Sequence, residues 1–118
     1  MNRLPGLLLL IACAAGVATA HAALQALEQV HELGLRAVSL PSSATGRIVL
    51  RRCAGCRPET LAIDAGTRFQ VRPAPAALTL ADFRAAFSRA SRRRAPYVYI
   101  YYEPRGRVAR RVVLDPGP

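Results

Sequence analysis

Polar and apolar positions alternate with a two-residue period in several short runs, which predicts a β-rich domain. Ile48 and Leu50 alternate with Arg47, Val49 and Arg51. Leu61 and Ile63 alternate with Thr60, Ala62 and Asp64, and Phe69 and Val71 with Arg68, Gln70 and Arg72. Each run has one apolar face and one wet face, and arginine dominates the wet ones. Residues 46–71 therefore read as an antiparallel meander. Asp64-Ala65-Gly66 supplies a turn, because Asp bonds nearby backbone and Gly tolerates positive φ. Further along, Tyr97, Tyr99 and Tyr101 alternate with Val98, Ile100 and Tyr102 in the strongest strand signal of the chain. Glu103-Pro104-Arg105-Gly106 reads as a hairpin turn, and residues 107–114 return antiparallel. Alternation slips inside that last strand. Ala109 and Val112 both belong in the core, with Arg110 and Arg111 between them, which predicts a β-bulge.

Only one segment reads as a firm helix, at about 79–92. Thr79-Leu80-Ala81-Asp82 has capping-box spacing, with Asp in the usual Glu position. Leu80, Phe83, Ala86, Phe87 and Ala90 share a face opposite Arg84, Ser88 and Arg89. Two phenylalanines on one stripe predict a plug that seals one side of the sheet. Ser91-Arg92-Arg93-Arg94 closes the helix, where the macrodipole favours cations, and Pro96 prevents its continuation. Upstream, Leu24, Leu27, Val30 and Leu33 are spaced as on a helix, with Gly34 as C-cap, so residues 23–35 read as a short amphipathic helix or a lead-in. Ala37-Val38-Ser39-Leu40 reads as the first strand, stopped by Pro41.

Cys53 and Cys56 occupy the ends of a four-residue turn at the first bend of the meander, with Gly55 where a type II turn needs φ > 0. Turn ends lie within disulfide reach. Closing so short a loop would stabilise the fold by only about 2 kcal/mol.

The beginning of the chain changes the setting. Met1-Asn2-Arg3 is a short basic start, residues 4–17 are apolar, and Ala20-His21-Ala22 fits a small-x-small cleavage site. Residues 1–22 therefore read as a secretory signal peptide cleaved after Ala22, with cleavage after Ala20 as the alternative. The apolar run is short and rich in Ala and Gly for a membrane span, so no transmembrane span is expected in the mature chain. Leu10-Ile11-Ala12-Cys13 resembles a lipoprotein cleavage box, a minor alternative because apolar and small residues continue well past Cys13. Removing the leader removes Cys13 and leaves Cys53 and Cys56 as an even pair in an oxidising compartment, which favours a disulfide. The protein is expected to be periplasmic or secreted, with residues 36–116 as its one domain.

The order of predicted elements is strand, strand, CxxC tip, strand, strand, helix, strand, strand. The segments Thr60-Leu61-Ala62-Ile63, Thr67-Arg68-Phe69, Leu78-Thr79-Leu80-Ala81-Asp82-Phe83 and Val108-Ala109-Arg110-Arg111-Val112 resemble small OB-like barrel domains of uncharacterised exported Gram-negative envelope proteins. The resemblance covers roughly residues 46–114 and implies a mainly β (α+β) fold. That fold is a small antiparallel, partly open OB-like barrel of about six strands, with one amphipathic helix before the last two. It implies no particular activity and does not account for the cysteine pair.

Charge and chemistry then narrow the function classes. The formal net charge is +10, carried by 17 arginines in a chain with no lysine. Arg51, Arg52, Arg57, Arg68, Arg72, Arg107 and Arg111 form a candidate surface for anionic ligands, either envelope polymers or lipid headgroups. Arg107 and Arg111 share a face only if the bulge falls outside the span between them. Tyr97, Tyr99 and Tyr101 form a candidate aromatic platform of the kind that stacks rings, although export argues against nucleic acid as the partner. A solvated arginine surface and ordinary strand-forming tyrosines explain the same residues without a ligand. Too few histidines are present for a Ser-His-Asp or Cys-His arrangement, and no enzymatic activity, metal or cofactor is expected. The cysteines are followed by Arg57-Pro58 and a strand, whereas dithiol oxidoreductases set the first cysteine at a helix N-terminus. The rival reading is a periplasmic thiol-disulfide redox or metal-handling protein using Cys53 and Cys56. Zinc would need ligands beyond these two, and His31 falls in the expected lead-in. The leading reading is an exported small binding or structural module of the cell envelope. Intact mass of protein exported from a Gram-negative host should show a chain beginning at Ala23 without an acyl group; a lipidated Cys13 would refute both localisation and cysteine count.

Overall fold

The computed structural model describes residues 28–118, so the expected leader, its cleavage positions, Cys13, Leu24 and Leu27 lie outside the described residues. The fold is mainly β, with one helix before the last two strands. The strands are β1 (Gln29–Gly34), β2 (Val38–Ser39), β3 (Arg47–Leu50), β4 (Glu59–Ala62), β5 (Arg68–Val71), β6 (Tyr97–Glu103) and β7 (Val108–Asp115). A 3-10 turn at Leu35–Ala37 joins the first two, and helix α1 spans Leu80–Ala90. The sheet runs β1-β6-β7-β4-β3-β2, with β5 also on β7, and it is not closed.

Alternation becomes burial as expected in β3 to β6. Ile48, Leu50, Leu61, Ile63, Phe69, Val98 and Ile100 are buried, while Arg47, Val49, Thr60 and Arg68 are exposed. Thr79 caps α1 by accepting a hydrogen bond from the Asp82 amide at 3.1 Å. Phe83 is fully buried, with its ring 5.1 Å from Phe69 and 6.3 Å from Phe87. The expected plug is in place. Asp64 forms the expected turn, its Oδ1 accepting from the Gly66 amide at 2.8 Å, and Thr67 Oγ1 ties that loop to Ala109 O at 2.7 Å.

Three expectations need correction. Residues 29–34 are a strand, which raises the strand count to seven. Val30 and Leu33 suggest helical spacing only because the inward alternate between Gln29 and Leu33 is a polar residue, His31. Its ring is largely covered, stacked on Tyr102 with ring centres 4.6 Å apart, so a polar residue occupies an inward-facing strand position. The second correction concerns β5, which is not the third strand of a meander. Both β4 and β5 run parallel to β7: Ala62 sits opposite Val108, and Arg68 to Val71 sit opposite Arg111 to Leu114. The chain from β4 to β5 is one bent path along β7, kinked at the Asp64–Gly66 turn, and the sheet is not wholly antiparallel.

The third correction is conformational. Gly55 does not take positive φ; among the described residues those that do are Ala95, Arg107 and Gly117. Gly117 has to be glycine, because a Cβ there would come within 2.6 Å of Arg94 O. The expected bulge in β7 is present, and it decides that Arg107 and Arg111 do not share a face. Tyr101 sits opposite Arg111 and Tyr102 opposite Ala109, so Arg110 is the extra residue of a bulge inside that span.

If α1 is the seal of an open sheet, Phe83→Ala should lower stability by about 3–5 kcal/mol in urea unfolding. Arg89→Ala, on the exposed face of the same helix, should change it by less than about 0.5 kcal/mol.

Candidate functional site

The register of four strands builds one solvent-facing surface. Reading across β5, β7, β6 and β1, Arg68 lies beside Arg111, Arg111 beside Tyr101, and Tyr101 beside Val30. The next outward row is Gln70, Val113, Tyr99 and Glu32. In the third, Tyr97 pairs with Asp115 on one side and Gly34 on the other, and Arg72 reaches Asp115 at 3.5 Å. Three of the seven candidate arginines thus share a face with all three candidate tyrosines.

The geometry changes what the tyrosines offer. The Arg111 guanidinium lies 4.1 Å from the centre of the Tyr101 ring, and that of Arg72 lies 4.4 Å from the centre of Tyr99. Two rings of the expected platform therefore carry a guanidinium on one face, an arrangement that holds a cation flat and orders a long side chain. Tyr97, which has no such contact, is 44 % exposed. Tyr99 also donates from its hydroxyl to Glu32 Oε1 at 3.3 Å.

The arrangement of charge on this face is costly. Arg68 and Arg111 are direct neighbours on adjacent strands, which lie about 4.8 Å apart. Like charges so placed repel. The Arg68 side chain makes no ion pair or hydrogen bond among the described residues, and Arg111 Nε is buried without a hydrogen-bond partner. Only Arg72 has a carboxylate, that of Asp115.

The remaining candidates lie elsewhere. Arg51 and Arg52 follow β3, at the tip that carries Cys53 and Cys56, and Arg57 follows the pair. The cysteine sulfurs sit at disulfide distance, with Cα atoms 5.1 Å apart and the Cys56 amide donating to Cys53 O at 3.2 Å. Cys53 is exposed and its setting is a turn between strands, as expected.

Beside this tip is a cluster that the sequence does not reveal. His31 Nε2 lies 3.7 Å from Glu59 Oε2, and Arg52 pairs with the other oxygen of Glu59. The His31 side chain is only 11 % exposed, and Tyr102, stacked on it, donates to Gln29 Oε1 at 2.9 Å. Burial pushes the imidazole pKa below its ordinary value. Glu59 opposes that shift, while Arg52 and Arg107 add to it. His31 and Glu59 are far apart in sequence, and only the meeting of β1 with the start of β4 joins them. No group of three His, Cys, Asp or Glu side chains placed to hold a metal ion occurs among the described residues.

No protein-family model matches this chain, and no curated protein or solved structure is significantly similar to it. Among the described residues no helix is long and apolar enough to cross a membrane.

The depressed value of His31 sets a pH dependence. As pH falls past about 6.5, the unfolded chain takes up a proton that the folded imidazole still resists. Stability is therefore complete above that pH and falls below it, until the folded imidazole also protonates. Urea midpoints between pH 7.5 and 5.5 should decline in the parent protein and decline less in His31→Phe. Equal slopes would refute the assignment.

Proposed function

We propose that the protein is an exported, non-enzymatic binding module of the cell envelope. It would hold anionic polymers or lipid headgroups on the face formed by β5, β7 and β6. The observation that carries this reading is the direct juxtaposition of Arg68 and Arg111, neither with a carboxylate partner among the described residues. A fold gains nothing from two arginines at facing positions of adjacent strands, whereas an anion held between them would turn repulsion into attraction. Tyr101 supports the reading by fixing the Arg111 plane, which reduces the entropy lost on binding. Arg72, on the same face, extends the basic strip towards Tyr97. The basic start, apolar run and small-x-small site support export, and an even cysteine pair suits the compartment.

The alternative, thiol-disulfide or metal handling through Cys53 and Cys56, draws on the exposure of the CxxC tip. It lacks a helix N-terminus to lower a thiol pKa, and further metal ligands would have to come from outside the described residues.

Retention on immobilised lipopolysaccharide across a salt series tests the binding reading. Arg68→Ala/Arg111→Ala should elute at clearly lower salt than the parent, while Arg89→Ala/Arg92→Ala, with the same loss of charge on the helix side, should elute near it. Equal shifts for the two pairs would show that net charge alone is at work. Arg68→Ala should also leave thermal stability unchanged or slightly raised, since it removes a repulsion of about 0.2–1 kcal/mol.

A further inference from the structure

A cavity of about 630 Å³ opens where the 3-10 turn, the end of α1 and the start of β6 meet. Its volume falls within the range of about 300–1,000 Å³ typical of small-molecule sites. Leu35, Phe87, Pro96 and Tyr97 supply apolar and aromatic surface, and Arg36 and Arg93 stand among them. Among the described residues no carboxylate side chain lines it. The Arg36 side chain makes no hydrogen bond or ion pair among the described residues, while Arg93 donates to the main-chain oxygen of Pro118 at 3.2 Å. The wall is held in place from behind. Gly117, at φ 78°, packs against Arg94 and Ala95, and its amide donates to Asp115 Oδ1 at 3.0 Å.

An apolar lining with cations and no acids fits one chemical class. We propose that this cavity binds a single-chain amphiphile with an anionic head, of which an alkyl carboxylate is the simplest form. The chain lies along Leu35, Phe87 and Pro96, and the carboxylate meets Arg36, with Arg93 as the second cation. Tyr97 presents an apolar ring and a polar hydroxyl, suited to the boundary between chain and head. The site uses neither Arg68 nor Arg111, so it stands or falls separately from the basic face.

Titration calorimetry at pH 8 with octanoate, decanoate and dodecanoate, each below its micelle concentration, tests this. Affinity should rise by about tenfold for each pair of added methylenes that the cavity accommodates. Decyltrimethylammonium should bind at least about fivefold more weakly than decanoate, and Arg36→Gln should weaken decanoate by about fivefold. Arg93→Gln gives a second reading of the same contact, and Arg68→Ala/Arg111→Ala should leave decanoate binding unchanged. The proposal is overturned if dodecanoate gives no saturable heat, or if the cationic amphiphile binds as well as decanoate. It also fails if neither Arg36→Gln nor Arg93→Gln weakens decanoate, or if the Arg68/Arg111 variant abolishes its binding.

Discussion

The inner face of an open sheet has to be covered, and here the cover is the ring of Phe83. Seven strands that do not close leave an apolar concavity lined by Ile48, Leu61, Phe69, Ile100 and Val112. A fully buried phenylalanine on α1 fills it, tilted against Phe69, while Ala90 lets the last turn of the helix sit close to the sheet. The Thr79 cap fixes where that helix starts, and so which of its residues reaches the concavity. Because the helix takes the inner side, the outer side of β5, β7 and β6 is left to solvent, with its tyrosines and arginines.

The composition of that outer side depends on one inserted residue. A regular strand would place Ala109 and Arg111 on the same face and Val112 on the other. The bulge at Arg110 shifts the phase, so that Ala109, Val112 and Leu114 all face inward while Arg111 comes out beside Tyr101 and Arg68. Core packing alone would be satisfied by many outward residues at that position. A pair of neighbouring arginines is among the least favourable choices.

Much of this was legible from alternation, and the failures have physical causes. The burial of Ile48, Leu50, Phe69 and Ile100, the phenylalanine plug, the Thr79 cap and the β7 bulge all follow from local pattern, because each depends on residues close in sequence. β1 was misread because His31 interrupts the apolar alternation, and only a distant ring, that of Tyr102, explains its burial. The meander was misread because a short turn between two runs usually means a hairpin; here it is a kink in a path parallel to β7. Arg68 and Arg111 each appeared as candidates, yet their placement at facing strand positions depends on that pairing and could not be seen. The close approach of Gly117 to Arg94 and Ala95, and the cavity lined by both Arg36 and Arg93, depend on loops whose sequence carries no periodicity.

β7 touches β6, β4 and β5, and it follows all three in the chain. Consider what this means for a chain emerging from a ribosome N-terminus first. The β3–β4 hairpin and α1 can form early, but β4 and β5 have no partner in common until the final strand arrives. These parts of the sheet therefore join only once β7 has been made, through contacts distant in sequence that form slowly. A chain cut before Val108 would lack the strand on which the others converge.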